Sequence, residues 1–283
     1  MSDAAFQTQF RDEFIAGFEQ RQSLLRDTVT TEVQVKGNQC VFLVADSGGA
    51  SAVTRGINGR IPGRPDNLNQ YTCTLNEWHD KPERTGFNLF ASQGDGRRIM
   101  QETAMGVMNR KIDDTIITEL SNATNTTGTA QIVTNRLITK IIAILGNNKV
   151  PMNGQVTGLV TPAFMGYLSE LKEFSNAQWI DRPTIQDADY QWKDTQGFFK
   201  WRGIKWVEHT GLPGAGTNAE KCFFYHASAI GHAAPGELIS TYANYNEEDD
   251  YSFARCTAYM GAKLLQNSGV LVCNHDGSAL VAS

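Results

Sequence analysis

Between Asp46 and Gly94 the chain offers almost nothing from which to build a core. Glycines at 48, 49, 56, 59, 63, 86 and 94 and prolines at 62, 65 and 82 interrupt any regular helix. Arg55, Arg60, Arg64, Glu77, Asp80, Lys81, Glu83 and Arg84 spread charge through the whole stretch. Extended runs survive only at Tyr71 to Leu75 and Phe87 to Phe90. So long a segment without helices is uncommon inside a compact domain, and where it is ordered it serves function. The pattern predicts a long two-stranded hairpin that projects from the body. The rest of the chain must then supply the core.

The flanking segments do so. Phe6, Phe10, Phe14 and Phe18 recur every four residues, with Leu24 and Leu25 on the same broad side, which predicts an amphipathic helix over about residues 4–26. Residues 31–44, TEVQVKGNQCVFLV, read as one or two strands broken at Gly37-Asn38. Asp95 is placed to cap a long helix running to about Asn122. Projected at about 100° per residue, Ile99, Met100, Ala104, Val107 and Met108 fall on one side of it. Ile112, Ile116 and Leu120 fall roughly opposite, with Ile117 between, so this helix is expected to be covered by different partners along its length.

A Ser/Asn/Thr-rich link (SNATNTTGTA) separates it from a second, largely apolar helix around Leu137 to Leu145, ended by Gly146-Asn147. VTGLV (156–160) reads as a strand running into Thr161-Pro162, an N-cap followed by proline at the first helical position. Residues 175–202 are irregular and aromatic-rich. Strands are expected at 203–208 and 221–227. In a final β stretch, Ser252, Ala254, Cys256, Ala258 and Met260 alternate against Phe253, Arg255, Thr257 and Tyr259, before Asn267-Ser268-Gly269 turns the chain into VLVCN.

Composition narrows the function. The chain has 283 residues, 41% of them hydrophobic, which is enough for more than one lobe, since single cores stop growing at roughly 250–300 residues. The net charge of −5 excludes a protein whose main task is neutralising nucleic-acid phosphates. Within residues 1–27, three arginines (11, 21, 26) face five acids (3, 12, 13, 19, 27), so the first helix is not a basic membrane-surface helix either. No run approaches the ~18 apolar residues of a membrane span, and the N-terminus lacks a basic start followed by an apolar run, so the chain reads as made and kept in a cytoplasm. Five cysteines (40, 73, 222, 256, 273) without a C-x-x-C pair encode neither a disulfide framework nor a zinc ribbon and read as free thiols in strands and core.

No catalytic pattern is present. Gly94-Asp95-Gly96 lacks the third glycine of a phosphate loop, and Ser47-Gly48-Gly49 is not a nucleophile elbow. His79, His209, His226, His232 and His275 have no metal-ligand spacing, and Glu247-Glu248-Asp249-Asp250 lacks the interleaved pattern of a calcium loop. No cofactor, metal or catalytic residue is expected. The acidic run reads as a solvated charge run at a strand entrance or, by charge complementarity, as a partner for arginines in the 55–64 stretch of a neighbouring subunit.

The order of parts resembles the major capsid proteins of tailed bacteriophages, the HK97-like fold. RGINGRIPGRPDNLNQYTCTLNEW (55–78) looks like the extended E-loop, GDGRRIMQETAMGVMNRKIDDTIITEL (94–120) like the spine helix, TPAFMGYLSELKEF (161–174) like an A-domain helix, and FARCTAYMGAKLLQNSGVLVCN (253–274) like the closing P-domain strands. The resemblance implies an α+β chain with an N-terminal arm (1–45), an E-loop hairpin (46–93), a P-domain with the spine helix (94–149), an A-domain α/β lobe (150–230) and return P-domain strands (231–283). It implies a structural protein, not an enzyme. Such a protein assembles with itself through pentamers and hexamers into an icosahedral shell around double-stranded DNA. It belongs to the virion, is assembled in the host cytoplasm, and works with a separate scaffolding protein, a portal and a decoration protein, without a membrane. Some relatives crosslink their E-loops through a lysine and an asparagine; Lys81 is present, but the required acid is not matched. Arg60, Arg64, Glu77, Trp78 and Arg84 are the expected inter-subunit contacts, being charged or aromatic in a hairpin with no core to join. The alternatives are another virion component, such as a tail or decoration protein, and an α/β enzyme using residues 46–94 as a lid.

Overall fold

The computed structural model describes residue 20 and residues 22–64, 67–85, 96–175, 199–235 and 239–281. The expected helix over 4–26 lies mostly outside these residues. Its described end is not α-helical: residues 22–25 are irregular and Arg26–Thr28 forms one 3₁₀ turn. The extended run at Phe87 to Phe90 and most of the irregular 175–202 stretch also lie outside the described residues.

The elements follow in the order β1 (Thr30–Glu32), β2 (Gln39–Asp46), β3 (Asn67–Thr74), β4 (Asn76–Asp80), β5 (Glu83–Thr85), α1 (Gly96–Leu120), α2 (Asn135–Asn147), β6 (Val156–Val160), α3 (Pro162–Glu170), α4 (Lys172–Ser175), β7 (Phe199–Trp201), β8 (Ile204–Glu208), β9 (Glu220–His226), β10 (Ile230–Ala233), β11 (Ser240–Asn246), β12 (Tyr251–Leu264), β13 (Val270–His275) and α5 (Ser278–Val281). This is the mixed helix-and-sheet class expected.

β12 organises half of the molecule. Its Cys256 and Thr257 pair with Thr241 and Ser240 of β11 and also with Asp80 and His79 of β4, so these two strands occupy its opposite edges. β10 pairs with its last four residues, and β5 with its first three. The alternation read from the sequence is realised: Ser252, Ala254, Cys256, Ala258 and Met260 are all buried, whereas Arg255 and Tyr259 are exposed. The small members of that set let α1 lie close against the strand, where Ala104 and Met108 pack on Cys256 and Ala258.

α1 is buried at Met100, Ala104, Met108, Ile112, Ile116 and Leu120, every fourth residue along its length. A four-residue repeat on a helix of about 3.6 residues per turn drifts by roughly 40° per step. The two apparent sides are therefore one stripe that winds around the helix. Its first half faces β12, and its second half enters a core shared with Leu159, Phe223, Tyr225, Val270 and the arm residues Leu25 and Val29.

The second sheet, in the order β13-β9-β6-β8-β7, has α1 and the arm on one face and α2 and α3 on the other. Strands covered on both faces have no polar side to alternate, and every residue of β6 is buried. Thr134 and Thr161 cap α2 and α3 through bonds from the amides of Leu137 and Phe164, with Pro162 opening α3 as expected. α2 is less enclosed than its composition suggests, since Ile142 and Ile144 are only partly buried.

The projecting hairpin is displaced from the expected span. β2 and β3 pair antiparallel from Gln39↔Thr74 to Asp46↔Asn67 as a separate two-stranded ribbon, while β4 and β5 belong to the β12 sheet. The alternating strand at 39–46 falls in what the sequence reading took as the segment before the hairpin, and it is half of the ribbon. All five cysteines lie in strands, free, with Cys40 directly opposite Cys73 and Cys222 directly opposite Cys273.

Candidate assembly surface

The ribbon has two unlike faces. Cys40, Phe42 and Val44 alternate toward the body with their partners Cys73, Tyr71 and Asn69. Its root is fastened by close approach to two glycines. A Cβ on Gly261 would stand 2.4 Å from the Thr74 carbonyl oxygen and 2.9 Å from Cys73 Sγ, and one on Gly231 would stand 2.8 Å from the Phe42 ring. The opposite face carries Val41, Leu43 and Leu68, each about half exposed. The connecting loop adds Val53, Ile57 and Ile61, the most exposed large aliphatic side chains among the described residues. Fully burying a side chain of this kind contributes about 1.5–3 kcal/mol, so this surface holds on the order of 10 kcal/mol of gross apolar burial left unused by the lone chain.

The five expected contact residues divide. Arg60 is exposed in the loop, and Arg64, also exposed, donates from Nη1 to the Ser47 carbonyl at 3.1 Å, drawing the two sides of the loop together. Glu77 is exposed on β4 with His79 Nε2 2.9 Å from its carboxylate, and Arg84 is partly buried on β5 opposite Ser252. Trp78 corrects the expectation that it has no core to join. It pairs with Ala258 in the β12 sheet, packs against both cores that α1 touches, and lies under Lys111 Nζ at 4.0 Å from its ring centre. The cause is register: Trp78 and Asp80 alternate inward, and Glu77 and His79 outward.

Two buried polar clusters escaped the sequence reading. Asp113, in the second half of α1, is 1% exposed. Gln20 Nε2 donates to it at 2.5 Å, Ser23 Oγ at 2.6 Å, and the amides of Leu24 and Leu25 at 3.1 and 3.2 Å, while His209 Nε2 lies 3.3 Å away. Burial pushes its carboxyl up, but the bonds from His209, Ser23 and the two amides outweigh this and hold it below the usual carboxylate range. The cluster ties residues 20–25 to α1.

Glu220, fully buried, accepts from Thr161 Oγ1 at 2.5 Å and from the Gly216 amide at 2.7 Å, and its Oε2 lies 2.6 Å from His275 Nδ1. This trio is not arranged for catalysis. His275 faces the carboxylate and not the threonine, Thr161 is engaged as a helix cap, and His275 packs on Phe164 and Tyr167 with no exposure. It ties α3 and the C-terminal strand to the loop before β9. Among the described residues no three His, Cys, Asp or Glu side chains gather as a metal site, and no helix is long and apolar enough to cross a membrane.

The ribbon and its loop thus leave an apolar surface that the described residues of the chain do not cover. A phage capsid protein family model matches residues 2–276, and the chain belongs to that family. Among solved structures, a chain from Mycobacterium phage Che8 is similar over 96% of this chain and 98% of its own, at 15% identity and a TM-score of 0.75. The cyanophage Pam1 capsid is similar over 98% of both chains at 9% identity and 0.71, and the capsid of a native GTA particle over 96% of both at 12% and 0.71. No curated protein sequence matches.

Proposed function

We propose that this capsid protein assembles with itself through pentamers and hexamers into an icosahedral shell enclosing double-stranded DNA, and that it is a structural component of the virion without catalytic activity. The observation that carries this reading is the ribbon, whose exposed aliphatic face and loop have no use in a lone subunit. The net charge of −5 suits a container for DNA driven in by a motor, because an acidic lining does not grip the polymer. A scaffolding protein, a portal and a decoration protein are the partners such a shell calls for, and the host cytoplasm is where it forms. Arg60, Arg64, Glu77 and Arg84 contribute inter-subunit contacts. Trp78 contributes indirectly, by holding β4 and Lys111 in place.

Gel filtration followed by electron microscopy of the chain, expressed alone and with a scaffolding protein, tests the proposal. Rings of five or six and closed shells are expected. A monodisperse monomer or dimer under both conditions would overturn it, and open filaments would reassign the chain to a tail.

A further inference from the structure

Two pairs of free cysteines stand directly opposite one another across antiparallel strands, Cys40 with Cys73 in the ribbon and Cys222 with Cys273 in the second sheet. Directly opposite residues project from the same face, so each pair brings two thiols side by side. Their surroundings differ. Cys222 and Cys273 have no exposure, and their strands are held on both sides, β9 also by β6 and β13 also by bridges to Thr126 and Gln131. Cys40 is partly exposed, on a strand whose one partner among the described residues is β3, and Cys73 beside it is 1% exposed.

The Leu75 amide donates to the Asn38 carbonyl at 2.9 Å, and hydrogen-bonded pairs alternate along the ladder, so Cys40 and Cys73 are such a pair. Their Cα atoms then stand about 5.5 Å apart, inside the roughly 4.4–6.8 Å that a disulfide spans. The Cβ atoms of such a pair sit wider than the roughly 3.5–4.5 Å of a relaxed disulfide, so the strands must draw together. A sheet of two strands tolerates that better than an inner pair of five, and a bond closed under such constraint is readily reduced again. Burial pushes both thiols up, Cys73 to about 11, and Cys40 adds to the shift of Cys73, as a close neighbour does.

We infer that Cys40 and Cys73 form a reversible redox latch, closing as a disulfide at the root of the ribbon when the chain meets a small-molecule disulfide. The Cys40 thiolate, the more accessible, attacks one sulfur of the oxidant, forming a mixed disulfide and releasing one thiolate. The Cys73 thiolate then attacks Cys40 Sγ and releases the second. Two cysteine thiols are oxidised, one disulfide is reduced to two thiols, and the protons given up by the cysteines pass to the released thiolates. The bridge encloses residues 41–72, so the whole loop hangs from one covalent root beside Gly261. A reducing cell keeps the pair open while the chain is made, and oxidising surroundings close it. That timing rests on the shell reading above, in which a particle leaves the cell, whereas the bond does not.

Treating the purified full chain with oxidised glutathione, unfolding it in an alkylating agent and digesting with trypsin tests the latch. Cys40 and Cys73 fall on peptides 37–55 and 61–84, each with one cysteine. These are expected to appear linked, two hydrogens lighter than the two thiol peptides together, and to separate on reduction, while Cys222 and Cys273 are recovered alkylated. Hydrogen exchange at the β2 and β3 amides should slow about 10-fold in the closed chain relative to the reduced one, because the ribbon no longer opens at its root. Cys40→Ser, at a partly exposed position, should fold, lose the linked peptide and show no slowing. A glutathione adduct on Cys40 without the linked peptide, or alkylation of both residues, overturns the bond. A linked peptide with unchanged exchange overturns the latch, and a chain that links but never forms shells keeps the latch and removes its timing.

Discussion

Replacing Asp113 by alanine isolates what the buried carboxylate does. In the native chain it satisfies two backbone amides, Leu24 and Leu25, and the side chains of Gln20 and Ser23, with His209 against it. Asp113→Ala removes the acceptor and leaves the donors in place. Breaking a buried, hydrogen-bonded charge by deleting one partner costs about 3–5 kcal/mol, consistent with about 1–3 kcal/mol for each buried donor left unpaired. Because every bond but that to His209 comes from the arm, the loss should appear first as release of residues 20–25 and not as collapse of both lobes. Hydrogen exchange at the Leu24 and Leu25 amides is then expected to accelerate by about 10²–10⁴-fold, at about 1.36 kcal/mol per factor of ten. Exchange at buried β6 should change far less. Asp113→Asn keeps one acceptor oxygen and should fall between. Because the carboxyl is held below its unfolded value, the stabilisation is complete above about pH 4 and is lost as pH falls through the folded value. Unchanged exchange at Leu24 and Leu25 in Asp113→Ala would refute the argument that this cluster anchors the arm.

Two other perturbations address separate links. Gly261→Ala puts a Cβ 2.4 Å from the Thr74 carbonyl, so the ribbon root must lift; we expect a loss of about 1–3 kcal/mol, typical of overpacking, in denaturant titration, with faster proteolysis within residues 47–64. Native-like proteolysis in that variant would mean that the root is not held there. His232, fully buried with neither ring nitrogen hydrogen-bonded among the described residues, has its pKa lowered to about 4, chiefly by burial and then by Arg26. The unfolded chain therefore takes up the proton first, so stability is complete above about pH 6.5 and declines as pH falls toward 4, by roughly 2–4 kcal/mol for this residue. His232→Leu should flatten that part of the stability profile, and an unaltered slope between pH 4 and 6.5 would show the histidine to be solvated.

Much of the fold was legible because its periodicities are local. The β12 alternation, the Thr161-Pro162 helix start and the extent of α1 each follow from side chains within one element. The ribbon was misplaced because pairing is not local. β4 looks as coreless as the loop before it until Ala258 and Met260 are brought alongside, and β2 looks like a strand that precedes the hairpin until Thr74 and its neighbours on β3 pair with it. For Asp113 a signal was available. Counting about 100° per residue from Ile112, it falls between Ile116 and Ile117, inside the apolar arc, where a charge must find donors. Glu220 gave a fainter sign, sharing a face of β9 with buried Cys222 and Phe224; its donors come from Thr161, Gly216 and His275, distant in sequence.

The two-stranded ribbon leaves the outer edges of β2 and β3 without ladder partners among the described residues. An open, apolar strand edge is a template for aggregation, so a newly made subunit is in a race between its proper neighbour and any other copy's ribbon. Identical arginine-bearing tips repel one another, as gatekeeper charges do at unavoidable sticky strands. The same three arginines therefore slow the wrong encounter while the subunit waits, and that protection weakens as added salt shortens the range of the repulsion.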